Sequence, residues 1–175
     1  MRTFIAIELP QEIKRKIGEF EESLKKYLPL RFVAPQNLHL TLFFLGEIAE
    51  SRVSEVIEAV KTGTRDIKPF YLFLGKPEFF THGLWLEVEG QIEVLRKLYQ
   101  QIGKELKIRN FEIETRPFSA HITIGRSKRK IQRIKSITST TGITGRFGVD
   151  SVSVFTSELK PEGPVYSKII TINLK

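Results

Sequence analysis

The most constraining feature of the sequence is a four-residue pattern that occurs twice. His39-Leu40-Thr41-Leu42 is followed 121 − 39 = 82 positions later by His121-Ile122-Thr123-Ile124. A proline precedes each histidine by four residues, at Pro35 and Pro117. Polar and aliphatic residues alternate in both copies, which is typical of a β-strand with one buried face. Each copy therefore predicts a strand that turns a histidine and a threonine to one side and two aliphatic side chains into a core.

The repeat uses two of only three histidines in the chain, which favours a shared function for the two copies. Residues two apart on a strand project from the same face about 7 Å apart, so each copy offers an imidazole beside a hydroxyl. Two such strands facing one groove supply an acid and a base that titrate near neutrality. Threonine hydroxyls can donate hydrogen bonds to phosphate oxygens. The pattern predicts in-line displacement at phosphorus with His39, His121, Thr41 and Thr123 as the catalytic set.

Apolar periodicity along the rest of the chain predicts strands and helices in an interspersed order. Strands are predicted at 2–9, 32–33, 39–45, 70–80, 84–88, 119–125, 147–156 and 165–174, with a further short one around 111–113. Helices are predicted from Pro10 through an apolar stripe ending at Tyr27, at about 50–63 and 91–106, and as a short basic helix from Ser127 to about Ile137. Short turns such as Thr81-His82-Gly83 favour antiparallel pairing, which gives an α+β fold. No Gly/Ser linker divides residues 1–175, so one domain is expected.

The composition of the chain indicates which classes of molecule it is expected to bind. The formal net charge is +8 and the isoelectric point is near 9.7, which favours a polyanion such as nucleic acid, although a solubilising surface has the same composition. No apolar run approaches the roughly 18 residues of a membrane span, and the first residues lack the pattern of a signal peptide. With no cysteine there are no disulfides or thiolate metal ligands. A cytoplasmic protein without membrane contact is expected.

Other chemistries fit the sequence less well. Zinc usually takes three or four protein ligands, and neither motif contains an acidic residue, so no metal or other cofactor is predicted. His82 is a third imidazole in principle, but its Thr-His-Gly setting is that of a surface turn. No nucleophile elbow and no phosphate-binding glycine loop is present. Ligand binding of another kind stays open.

Longer segments around the motifs resemble a known family. They are 1–10 (MRTFIAIELP), 39–47 (HLTLFFLGE), 116–126 (RPFSAHITIGR) and the tail from Ser157 to Tyr166, and together they extend over nearly the whole chain. These segments are similar to the two-histidine phosphoesterases, and within them to the bacterial and archaeal RNA 2′,3′-cyclic phosphodiesterases, also called 2′-5′ RNA ligases. One departure is Ala120, where family members often have proline before the second histidine.

The resemblance implies a bilobal fold with pseudo-twofold symmetry, two mainly antiparallel sheets flanking a central cleft, helices on the outer faces, and one motif from each lobe in the cleft. It implies hydrolysis of RNA 2′,3′-cyclic phosphate ends to 2′-phosphates, with reverse 2′-5′ joining. His39 would be the proton donor and His121 the proton acceptor, while Thr41 and Thr123 would hold the phosphoryl oxygens. A non-catalytic RNA-binding module with the same basic cleft is the alternative.

Further contacts to RNA are predicted around the motifs. Arg126, just past the second motif, is a candidate phosphate ligand, and Phe44, Phe118 and Tyr166 are candidate platforms for a base. A basic run is a candidate track for the RNA backbone: Arg126, Lys128, Arg129, Lys130, Arg133 and Lys135. The expected partner is RNA with a cyclic phosphate end, transfer-RNA fragments among the candidates, bound by a monomer. The sequence leaves open which RNA is the natural substrate and whether hydrolysis or ligation matters.

Overall fold

The computed structural model describes residues 1–131 and 142–175. The helices in these ranges are α1 (Gln11–Leu24), α2 (Val53–Thr64) and α3 (Ile92–Ile108). The strands are β1 (Arg2–Glu8), β2 (Arg31–Phe32), β3 (His39–Glu47), β4 (Phe70–Phe80), β5 (Gly83–Gly90), β6 (His121–Arg126), β7 (Arg146–Val149), β8 (Ser151–Lys160) and β9 (Gly163–Asn173). Among these residues, no helix is long and apolar enough to cross a membrane.

The strands form two sheets, and every pairing is antiparallel. The first sheet has the order β3-β1-β8-β9, and the second has the order β2-β6-β5-β4-β7. Each motif strand thus lies in a different sheet, β3 in the first and β6 in the second. The prediction of an α+β fold with two antiparallel sheets is confirmed.

The repeat seen in the motifs extends to whole elements at the same offset. Adding 82 to the bounds of β1 and α1 gives 84–90 and 93–106, which lie within β5 and α3. Adding 82 to His39 gives His121, and each histidine begins its strand. The two halves therefore share a strand–helix–motif strand unit, which is the basis of the pseudo-twofold relation between the sheets.

The helices of the two units cover each other's sheets. Helix α1 follows a strand of the first sheet, yet Ile13 lies against Gly145, directly before β7 of the second sheet. Helix α3 follows a strand of the second sheet, yet the ring of Tyr99 stacks on Phe43 of β3 with centroids 4.3 Å apart. Each helix thus contacts the other unit's sheet at these residues, and the buried apolar residues of both halves form one hydrophobic core cluster.

Four predicted elements differ from the structure. Helix α1 ends at Leu24, because the chain turns there; Leu28 takes the buried position and Tyr27 is 65% exposed. The strand predicted at 147–156 is two strands in different sheets, split at Asp150. Buried apolar residues are odd-numbered before this break (Phe147 and Val149) and even-numbered after it (Val152 and Val154).

The strand predicted around 111–113 is absent. Asn110 takes a left-handed conformation after α3, and Phe111 is instead buried beneath the guanidinium of Arg52, which lies 3.9 Å from the ring centroid. The predicted basic helix is also absent over 127–131, where Ser127 N–H donates to His82 O and Ile131 N–H donates to Thr81 O. These bonds tie the segment to the β4–β5 turn. The remainder of that predicted helix lies outside the described residues.

Candidate active site

Both motif histidines are held in the same way by the backbone before their strands. His39 Nδ1 lies 2.6 Å from Asn37 O, and His121 Nδ1 lies 2.8 Å from Ser119 O. A carbonyl oxygen can only accept a hydrogen bond, so Nδ1 carries the proton in each ring. In the neutral imidazole the lone pair is then on Nε2, which can take or return a proton. The two strands thus present two imidazoles in the same tautomer.

The alternation within each motif matches the prediction. Leu40 and Ile122 are fully buried, whereas His39, Thr41, His121 and Thr123 are all partly exposed. Histidine and threonine therefore share the open face of each sheet, and the aliphatic residues secure the strand to the core.

A β-bulge follows the threonine in both motifs. In β3 the pairing with β1 skips from Thr41 to Phe43, and in β6 the pairing with β5 skips from Thr123 to Gly125, so Leu42 and Ile124 are the extra residues. A bulge shifts the alternation of side chains by one position. Consequently two consecutive residues are buried in each strand, and Phe44 and Arg126 return to the histidine face.

The two motif strands lie next to each other, and the charge of Arg126 in one sheet acts on residues of the other. Strands β3 and β6 are in contact. Arg126 belongs to the second sheet, yet its charge acts on two residues of the first. Burial lowers the pKa of His39 and Arg126 adds to that change, while burial raises the pKa of Tyr166 and Arg126 opposes the rise. Arg126 was predicted to contact phosphate; its charge acts on the histidine site, and the contact with phosphate stays a prediction. The bulge explains how a side chain three positions after Thr123 reaches that face.

The pKa of His39 lies below the ordinary histidine value. Burial is the main cause, and the charges of Lys14 and Arg126 add to it, while the hydrogen bond to Asn37 opposes the change. His39 is therefore neutral over more of the physiological pH range than a solvated histidine. An anion bound beside Lys14 and Arg126 would favour the imidazolium form.

Aromatic rings and a cavity surround His39. The Phe4 ring lies 5.1 Å from the His39 ring, and Tyr166 meets it edge-on at 5.4 Å. Phe4 also stacks on Phe155 at 5.1 Å and contacts Phe44 at 5.8 Å. A cavity of about 210 Å³ opens beside these rings, and its lining includes His39, Tyr166 and both rings of the stack. A nucleobase is flat and apolar on its faces, and this is the kind of surface that accommodates one.

The rim of this cavity is charged. Lys14, Glu8, Lys168 and Gln36 contribute to it. Burial alone would raise the pKa of Glu8, but hydrogen bonds from Lys168 (2.9 Å) and from the Ser153 hydroxyl (2.7 Å) lower it on balance. Because Lys168 is neutralised by Glu8, Lys14 is the cation of the rim that can act on an anionic ligand.

His121 has its own aromatic neighbours. The Trp85 ring lies 4.5 Å from the His121 ring, and Phe80 stacks on Trp85 at 4.9 Å with planes 15° apart. Trp85 and Phe80 are both partly exposed. The register also pairs Glu87 with His121, as it pairs Glu8 with His39, so a carboxylate lies across from each histidine on the neighbouring strand.

The other predicted binding residues are divided between two places. Tyr166 and Phe44 lie on the open face, where Phe44 is 61% exposed. Phe118 is different: its ring stacks on Tyr99, 4.2 Å away, on the helix side of β3. It is therefore not placed as a platform in the cleft. Of the basic run, Arg133 and Lys135 lie outside the described residues.

Several residues of the site were not predicted from the sequence, namely Phe4, Glu8, Lys14, Trp85 and Glu87. For the four residues in β1 and β5 the available signal was the alternation along each strand, but the pairing register was needed to interpret it; Lys14, in α1, had no such signal. His82, the third histidine, is exposed in the turn between β4 and β5. Within residues 1–131 and 142–175 no group of three or more histidine and acidic side chains is arranged to hold a metal ion.

Comparison with known proteins agrees with this architecture. The chain is 34% identical to an RNA 2′,3′-cyclic phosphodiesterase of Thermotoga maritima over 95% of this chain and 91% of that protein. The crystal structure of TT0787 of Thermus thermophilus superimposes with a TM-score of 0.83 at 26% identity, covering 99% of this chain and 98% of that one. E. coli LigT in complex with 3′-AMP superimposes with a TM-score of 0.77 at 25% identity, covering 99% and 97%.

A protein-family model also matches most of the chain. The sequence model of the 2′-5′ RNA ligase superfamily matches residues 9–160, which include both His-x-Thr motifs. The chain belongs to the 2′-5′ RNA ligase superfamily.

Proposed function

We propose that this protein hydrolyses the 2′,3′-cyclic phosphate at the end of an RNA and leaves a 2′-phosphate. The observation that carries the proposal is the matched pair of histidines, each with Nδ1 bound to a backbone carbonyl and Nε2 left for proton transfer. The relatives named RNA 2′,3′-cyclic phosphodiesterases support the choice of substrate.

In the proposed reaction, water attacks phosphorus and the bond from phosphorus to O3′ breaks. His121 accepts the proton of the attacking water, and His39 donates a proton to the departing O3′. The lowered pKa of His39 makes its imidazolium a stronger acid than a solvated histidine, and the bound phosphodiester offsets part of that change. Because two imidazoles carry both proton transfers, the proposed mechanism uses no metal or other cofactor.

The two threonines and Arg126 are proposed to hold the phosphate. Thr41 and Thr123 lie two residues after their histidines on the same faces, where their hydroxyls can donate to the non-bridging oxygens. Arg126 supplies a positive charge that stabilises the developing negative charge.

The nucleoside of the cyclic phosphate is proposed to occupy the cavity beside His39. Its O3′ must lie near the acid, and the aromatic lining that includes Tyr166 can stack with a base. Phe44, whose ring lies next to that of Phe4, adds an exposed aromatic ring to this surface. The support from other proteins is the LigT structure that holds 3′-AMP.

The wider setting of the proposal follows from composition. The net charge of +8 suits an RNA partner, and transfer-RNA fragments are among the candidate substrates. We propose that the chain acts in the cytoplasm as a monomer, as one domain of two lobes that each contribute one motif.

The proposal is tested with an oligonucleotide that ends in a 2′,3′-cyclic phosphate. Replacement of His39 or His121 by Ala is expected to lower the hydrolysis rate by about 10²–10⁴-fold, the usual contribution of a general acid or base. His82→Ala, in the exposed turn, is the control and should retain the wild-type rate. Both assays are repeated in EDTA, which should have no effect.

Two results would reject the proposed function. If both motif variants hydrolyse the substrate at the wild-type rate, these histidines are not the acid and base. If the wild-type chain binds the oligonucleotide without turnover, the protein is an RNA-binding module.

A further inference from the structure

A second arginine lies directly beside Arg126 on the second sheet. Strand β2 pairs with β6 so that Arg31 is opposite Arg126 and Phe32 is opposite Gly125. Residues that are opposite each other in an antiparallel pair project to the same side, with their Cβ atoms about 5 Å apart. Because Arg126 is on the histidine face, Arg31 is on that face as well.

The residue before Arg31 agrees with this orientation. The Leu30 side chain lies on the buried side of the sheet, where its Cδ1 would be 3.0 Å from a Cβ at Gly125. Arg31, which points the other way, is exposed. In the part of the chain that the structure describes, β2 is also the edge strand of its sheet. An extended ligand on the histidine face can therefore continue past Arg31 into solvent.

The guanidinium of Arg31 lies at the turn between β8 and β9. Gly163 makes room for it, since a Cβ at this glycine would be 2.7 Å from Nη2 of Arg31. The carbonyl oxygen of the next residue, Pro164, accepts a hydrogen bond of 3.0 Å from the Asn37 side chain. The carbonyl oxygen of Asn37 in turn accepts the hydrogen bond from His39 Nδ1. One turn thus fixes the position of Arg31 relative to His39.

Neither arginine is neutralised by the protein. Among residues 1–131 and 142–175, Arg31 and Arg126 form no ion pair and no side-chain hydrogen bond. Like charges that are directly opposite each other destabilise a pair of strands, and an anion bound between them offsets this effect. Two unpaired guanidinium groups on one face are suited to binding phosphate groups.

The cyclic phosphate requires only one of the two arginines. A 2′,3′-cyclic phosphate carries a single negative charge, and Arg126 is proposed to stabilise it beside His39. The next anion along the RNA is the phosphodiester that joins O5′ of the terminal nucleoside to the preceding nucleotide. Arg31 lies one strand beyond Arg126, towards the edge of the sheet, and is the unpaired cation next to it.

We propose that Arg31 binds the phosphodiester on the 5′ side of the terminal nucleoside, so that the protein selects oligonucleotide ends over free nucleoside cyclic phosphates. The inference rests on the proposed function and names the substrate class of that site. A planar guanidinium can donate two parallel hydrogen bonds to the non-bridging oxygens of this phosphate. A nucleoside 2′,3′-cyclic phosphate without a 5′-phosphate lacks these oxygens.

The test compares three substrates. They are a nucleoside 2′,3′-cyclic phosphate, a dinucleotide that ends in the same group, and that dinucleotide with an uncharged methylphosphonate as its internal linkage. For the wild-type protein, kcat/KM should be about 10- to 100-fold higher with the phosphodiester dinucleotide than with its methylphosphonate counterpart, the usual effect of one charge-assisted hydrogen bond. Arg31→Met should abolish this ratio, and Arg31→Lys should retain part of it.

Arg65→Met provides the matched control, because Arg65 is exposed at the end of α2 and its loss changes the net charge equally. This variant should keep the wild-type ratio between the two dinucleotides. Arg126→Met should lower kcat/KM for all three substrates, since each of them carries the cyclic phosphate. The methylphosphonate comparison uses the wild-type protein, so the test stays decisive if Arg31→Met folds poorly.

Three outcomes overturn the inference while leaving the proposed hydrolysis intact. Equal kcat/KM of the wild-type protein for the two dinucleotides would mean that the internal phosphate is not bound. An unchanged ratio in Arg31→Met would assign that phosphate to another cation, such as Lys14. An equal fall for all three substrates in Arg31→Met would make Arg31 a support for the turn at Gly163. Failure of the wild-type protein to hydrolyse any of the three would instead reject the proposed function itself.

Discussion

Arg126 and His39 lie in different sheets, yet the charge of the arginine lowers the pKa of the imidazole. Two features of the fold bring them together: β6 approaches β3, and a bulge after Thr123 turns Arg126 onto the histidine face. A histidine beside two cations releases its proton readily, and it regains that proton when an anion neutralises them. The protonation of His39 is thereby coupled to the binding of an anion beside it.

This coupling predicts how the pKa of His39 responds to charge. In the free protein it should lie below the ordinary value, and Lys14→Met should raise it because a nearby positive charge is removed. Inorganic phosphate should raise it in the wild-type protein. The measurement is an NMR titration of the imidazole. Lys16→Met, on the same helix, is the control, and an equal effect of both substitutions would contradict the assignment to Lys14.

The proposed phosphate contact predicts the kinetics of Arg126→Met. Loss of a charge-assisted hydrogen bond, about 1.5–3 kcal/mol, should lower kcat/KM for the cyclic-phosphate substrate by about 10- to 100-fold and weaken its dependence on salt. Arg96→Met is the comparison, since Arg96 is exposed on α3 and paired with Glu93 at 2.5 Å. The same loss in both variants would indicate a general effect of net charge.

A buried carboxyl group predicts a stability change with pH. Glu21 is 4% exposed, its Oε1 has no hydrogen-bond partner among the described residues, and burial raises its pKa to about 8 from 4.5. Between these pH values the folded state holds more protons than the unfolded state, so the free energy of unfolding falls as the pH rises through this window. Glu21→Gln removes this dependence.

The substitution should stabilise the protein by about 1–3 kcal/mol at pH 7 and change it little at pH 4. Denaturant unfolding at both pH values measures this difference. Glu22→Gln, the exposed neighbour, should show no such dependence. A destabilised Glu21→Gln variant at pH 7 would mean that the carboxylate has an essential partner.

A pair of helical glycines predicts opposite effects of the same substitution. A Cβ at Gly63 of α2 would lie 2.7 Å from the Ile102 Cα of α3, whereas a Cβ at Gly18 of α1 would meet nothing within 4 Å. Gly63→Ala should therefore destabilise the protein by about 1–3 kcal/mol through overpacking. Gly18→Ala should stabilise it by about 0.5–1 kcal/mol through helix propensity. Thermal or denaturant unfolding of the two variants should give shifts of opposite sign.

The sequence was most informative where a local pattern repeats. The alternation of His39, Thr41 and their second copies was enough to assign two half-buried strands and the faces that carry chemistry. Helix α3 was predicted to within two residues of its observed bounds, because its apolar stripe runs without interruption. The family resemblance added the arrangement of the two sheets around one cleft.

The features that could not be predicted from the sequence depend on the pairing register of the strands and on contacts between segments far apart in the chain. Trp85 and Glu87 acquire their positions beside His121 only through the pairing of β5 with β6, which no local pattern fixes. The bulge after Thr123 is also invisible in composition, and it decides where Arg126 points. The basic segment after β6 was predicted as a helix, but Ser127 and Ile131 donate hydrogen bonds to the β4–β5 turn instead.

The packing of each helix against the other unit's sheet has a consequence for how His39 and His121 are held relative to each other. Because α1 covers the sheet of His121 and α3 covers the sheet of His39, separating the two sheets would expose the apolar faces of both. Opening the two sheets as a hinge would therefore carry a cost in exposed apolar surface. The relative positions of His39 and His121 are thus tied to the packing of the shared core.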